Sequence, residues 1–70
     1  MRYMIIVERG KDNFSAYAPD FPGCVAAAET EAETVKLMTE ALEMHIEDMR
    51  ARGERIPPQT SFPREVEIAV

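Results

Sequence analysis

The sequence predicts an α+β fold of order β-β-β-α-β: a four-stranded mixed sheet with one helix on one face. Three observations predict it. Apolar or alternating stretches occupy residues 2–29 and 64–70, the spacing expected of strands. Between them, residues 31–52 carry their apolar side chains at helical spacing. Clusters of Gly, Pro, Asn and Asp divide the chain at 9–13, 19–23 and 53–63.

The first strand, RYMIIVE at 2–8, is apolar almost without a break. Tyr3, Ile5 and Val7 point to one face, and Met4 and Ile6 to the other. A strand apolar on both faces belongs in a sheet covered on both sides. RGKDN, 9–13, reads as a hairpin loop in which Gly10 and Asn13 can take positive φ. FSAYA, 14–18, alternates, with Phe14, Ala16 and Ala18 on one face and Ser15 and Tyr17 on the other. In PDFPG, 19–23, neither proline can donate to a ladder, so regular pairing pauses. Gly23 lets the chain reverse. CVAAAE, 24–29, reads as a third strand. A helix starting at Cys24 competes with it, and Thr30 weighs against that helix.

Thr30 followed by Glu33 has the spacing of a capping box. Glu31 and Glu33 suit the positive end of a helix dipole. The helix runs from Glu31 to about Arg52. Val35, Met38, Leu42, His45, Ile46 and Met49 share one arc, with Ala41 at its edge, and the acids lie largely elsewhere. Gly53 fits the position just past the end, and Pro57-Pro58 prevents continuation. REVEIAV, 64–70, alternates cleanly, so a fourth strand is expected with Val66, Ile68 and Val70 inward and Glu65 and Glu67 outward. The helical crossover is long enough to return it parallel to an earlier strand.

A chain of 70 residues makes one domain, 1–70. It buries only roughly 60% of its unfolded surface, so its own core is marginal. One cysteine, Cys24, permits no internal disulfide, and one histidine, His45, with no Cys/His cluster predicts no metal and no cofactor. Self-association remains. One helix covers one sheet face, and the other, with apolar residues from the first strand, predicts a homodimer or higher oligomer formed through that face or a sheet edge. The net charge of −5 argues against direct binding of nucleic acid. It suits a basic protein partner, or simply solubility. No apolar run is long enough to span a membrane, and the N-terminal apolar stretch is too short for a signal peptide. With a single thiol, the expected location is the cytoplasm.

The hairpin YMIIVE…FSAYAPDFPGC, the capped acidic helix and the later ARGERIPP, 51–58, together resemble the HicB family of antitoxins. The signature is Pro19-Asp20-Phe21-Pro22-Gly23-Cys24, and the resemblance spans nearly the whole chain. It implies a trimmed ribonuclease-H-like fold. It also implies a HicA-like partner, a small basic toxin that cleaves messenger RNA through a catalytic histidine. Many family members carry a C-terminal DNA-binding segment. This sequence shows no basic helix after 64–70, so no DNA-binding domain is expected. The glycine and aspartate usual between third strand and helix are replaced by AAAET.

Candidate partner-binding residues follow from the same stretches. Asp20 either caps its turn or touches a partner. Phe21 either packs inward or projects as an anchor. Glu29 and the helix acids present negative charge. Leu37 and Met44, seven apart, lie away from the core stripe, either as scattered surface residues or as a partner-facing seam. Cys24 and His45 read as core or boundary residues. Glu8 is the one carboxylate on the first strand, short of the cluster that two-metal nuclease chemistry needs. The expected function is a non-enzymatic antitoxin that occludes its toxin. The alternative is a stand-alone oligomeric domain of regulatory or small-molecule-binding role.

Overall fold

Three strands and one helix follow in chain order in a computed structural model that describes all of Met1–Val70: β1 (Ile6–Arg9), β2 (Phe14–Ala18), β3 (Phe21–Ala28) and α1 (Glu31–Ala51). The strands form an antiparallel meander in the order β1-β2-β3, and α1 covers one face. The alternation read in FSAYA places Ala16 and Ala18 beneath the helix, where both are buried. Tyr3, Ile5 and Val7 pack on the same side. Alanines on β2 leave most of the core volume to Phe21 and Met38, the largest fully buried apolar side chains.

Register explains the strand boundaries. Ile6 pairs with Tyr17 and Val7 with Ala16, so Ile5 would fall opposite Ala18, where the Pro19 turn begins. Proline offers no donor to extend the ladder, and β1 starts at Ile6 rather than Arg2. On the other side of β2, Ala18 pairs with Phe21 but Tyr17 pairs with Val25. Pro22, Gly23 and Cys24 therefore bulge from β3, with Gly23 at φ 88°. A bulge with glycine in the left-handed region bends the strand without breaking it. That is why β3 begins at Phe21, before the PDFPG elbow, 19–23, ends. In the β1–β2 loop neither Gly10 nor Asn13 uses the positive φ open to it. The Gly10 N–H donates to the Asn13 carbonyl at 2.7 Å and closes the loop without a left-handed residue.

The helix ends are set locally. Thr30 accepts the Glu33 N–H at 3.1 Å, satisfying one of the unpaired donors of the first turn. At the other end Gly53, φ 71°, donates to the Arg50 carbonyl, and the Glu54 N–H reaches the Met49 carbonyl. This pair of bonds is the Schellman stop. The buried stripe differs from the expected arc at its start. Thr34 is buried and Val35 is 40% exposed. The Thr34 hydroxyl is satisfied by donation to the Thr30 carbonyl at 2.8 Å, so a polar side chain can sit in the core. Val35 lies at the edge of the stripe, where the sheet does not cover it.

The expected fourth strand is not found. Residues 64–70 have no ladder partner, and Val66 and Ile68 are 78% and 68% exposed instead of inward. The sheet is therefore three-stranded and wholly antiparallel, not the mixed ribonuclease-H-like sheet expected. The preceding loop is fixed at two places. The Tyr3 hydroxyl donates to the Pro57 carbonyl, and Thr60 and Ser61 are bound to Asp20 in the β2–β3 turn. Residues 62–70 follow these anchors and pair with no strand. An alternating segment makes no strand without an edge to pair with.

Candidate protein-interaction surface

The face of α1 opposite the sheet carries Glu33, Leu37, Glu40, Met44, Glu47 and Ala51, all exposed. Successive separations of four and three residues keep them on one side of the helix. Leu37 is 43% exposed and Met44 69%. The result is an apolar seam with a carboxylate before, between and after its members. Methionine at such a seam adapts its shape to a partner, and the carboxylates favour a basic one. The helix also holds Arg50 in its last turn, and Arg52 beyond it pairs with Asp48 at 2.9 Å. Arg52 also pairs with Glu54 at 3.3 Å, so its charge is matched by two carboxylates.

The elbow contributes differently from its reading in sequence. The Asp20 carboxylate accepts the Thr60 hydroxyl at 2.7 Å, the Ser61 hydroxyl at 3.2 Å and the Thr60 N–H at 3.4 Å. The Thr60 hydroxyl bond, joined by the others, holds the carboxyl below its ordinary value of 3.8. Asp20 thus ties the 53–63 loop to the β2–β3 turn, rather than capping its own turn. Phe21, expected as a partner-binding residue, is 2% exposed. Its ring stands edge-on to Tyr3 at 4.7 Å and to His45 at 5.7 Å. It opens β3 on the helix side of the sheet, so the ring belongs to the core and offers no surface. Glu29 is exposed in the short link between β3 and α1. Of the residues singled out, Leu37 and Met44 share one surface, while Asp20 and Glu29 lie apart from it on the β2–β3 turn and the β3–α1 link.

Opposite the helix, pairing places Ile6, Tyr17 and Val25 in one row across the sheet. Tyr17 and Val25 are exposed, whereas Ile6 is half-buried. The next row, Glu8, Ser15 and Ala27, is polar or small. This face is apolar at one end only. Cys24 is buried, and burial pushes its thiol up, away from the reactive thiolate. No three His, Cys, Asp or Glu side chains stand close enough to hold a metal ion, and Glu8 is exposed at its strand. Thr60 and Ser61 were not legible as partners of Asp20, because nothing in a polar loop marks which distant carboxylate it meets.

A family model described as HicB-like antitoxin of bacterial toxin-antitoxin system matches residues 3–67. The chain belongs to this HicB-like family. The match takes in the elbow, α1, the anchored loop and most of the exposed 64–70 segment. Two relatives are UPF0150 proteins. One, from Synechocystis, is 28% identical over 97% of this chain and 87% of its own length. The other, from Thermoplasma acidophilum, is 29% identical over 81% of this chain and 84% of its own length. No solved structure matches the chain. Membership in an antitoxin family implies a toxin as partner. No helix is long and apolar enough to cross a membrane.

Proposed function

We propose that this HicB-like chain is a non-enzymatic antitoxin that binds a small basic HicA-type toxin and covers its RNA-cleaving site. The observation that carries the reading is the outer face of α1, where Leu37 and Met44 alternate with carboxylates. Such a face matches a basic partner with an apolar contact at its centre. Asp20 and Glu29 lie outside that face, and Phe21 supports the elbow from within. Self-association is part of this reading, since five buried apolar residues make a small core for a free-standing subunit.

The test uses the product of a toxin-type gene neighbouring this one. Leu37→Lys combined with Met44→Lys is expected to weaken toxin binding about 30-fold, or about 2 kcal/mol, by calorimetry. Circular dichroism should be unchanged, because both side chains are exposed. Unchanged affinity in the folded variant would remove this face from the reading. The lack of any toxin bound by the unsubstituted chain would remove the reading itself.

A further inference from the structure

We propose that residues 64–70 of one subunit lie along the free edge of β1 in a second copy, supplying its fourth strand. This rests on the self-association proposed above and not on the toxin.

Two unfilled complements point to it. The first is a groove of about 650 Å³ between α1 and the chain leading into β1, with Tyr3 and Ile5 on one wall and Leu42 and Ile46 on the other. Leu42 and Ile46 are only half-buried there, and Val35 on the same flank of the helix is exposed. The sheet ends at β1, so nothing in the chain covers this flank. The second is the segment itself. Val66, Ile68 and Val70 occur at every second position and all are exposed. In a strand they share one face. Laid along β1, that face would fill the groove, while the backbone would pair with the unpaired edge.

The occupant is a second copy for three reasons. In its own chain none of residues 64–70 lines the groove, and Val66, Ile68 and Val70 remain exposed. The groove rim carries Arg2 and Arg50 as well as Glu43 and Glu47. This balance suits a segment that itself carries Arg64, Glu65 and Glu67, and does not single out a strongly basic partner. Finally, exchange is reciprocal: each subunit gives one segment and receives one, as a two-fold dimer requires.

The experiment uses the full chain without toxin. Light scattering at micromolar concentration should give the mass of two chains. A mixture of isotope-labelled and unlabelled chains should give interchain NOEs from the methyls of Val66, Ile68 and Val70 to those of Leu42 and Ile46. Val66→Asp with Ile68→Asp should yield a single-chain mass with helical circular dichroism retained. A single-chain mass for the unsubstituted protein would end both self-association and exchange. A dimer lacking those interchain NOEs, or one that survives the double substitution, would end exchange and leave self-association standing. Should the double variant unfold, the NOEs on the unsubstituted chain decide.

Discussion

Asp20 connects residues forty positions apart, and it does so with a charge. Its carboxylate accepts from Thr60 and Ser61, and those bonds favour the ionised form. The sign of the consequence is fixed. A carboxyl whose folded pKa is lowered contributes stability above the ordinary 3.8, and loses it as pH falls through the lowered value. Asp20→Ala should therefore lower the urea midpoint at neutral pH. The gap from the unsubstituted protein should narrow in acid, below the ordinary carboxyl value. A gap independent of pH would mean that the bonds to Thr60 and Ser61 contribute nothing through charge. Phe21 shows the other side of residue-scale reasoning. Its position between two prolines left its direction open, and only the fold turned it inward onto Tyr3 and His45.

The helix is the element most fully written in local sequence. It was expected from Glu31 to about Arg52 and runs to Ala51, because both ends depend on residues next to them. The stop depends on Gly53 in the left-handed region, and a Cβ there would meet nothing within 4 Å. Gly53→Ala should cost about 1 kcal/mol from backbone conformation alone. A denaturant titration that finds no loss would show that the Schellman stop is dispensable. The strands were less legible. β2 matches its expected bounds because its alternation is interrupted on both sides. The start of β1 and the bulge in β3 depend on what lies opposite, and pairing register is not visible along a single strand.

At the scale of the molecule, the net charge of −5 and the carboxylates along α1 make an approach field for a positive partner. Association with a basic toxin should slow about tenfold as salt rises from low to several times physiological strength, with dissociation much less affected. Stopped-flow mixing at two ionic strengths checks this, and a salt-independent on-rate would exclude steering by this face. The sequence alone determined the helix and its caps, the β1–β2 hairpin, the outward position of Leu37 and Met44 and the family, because these depend on spacing and near neighbours. Only the tertiary structure decided that Asp20 anchors a distant loop, that Phe21 is core, and that 64–70 leaves the sheet instead of joining it. The reason is physical: an alternating segment declares that it can be a strand, but a strand exists only where an edge is within reach. Residues 64–70 pair with no edge of their own sheet, and Val66 and Ile68 stay exposed.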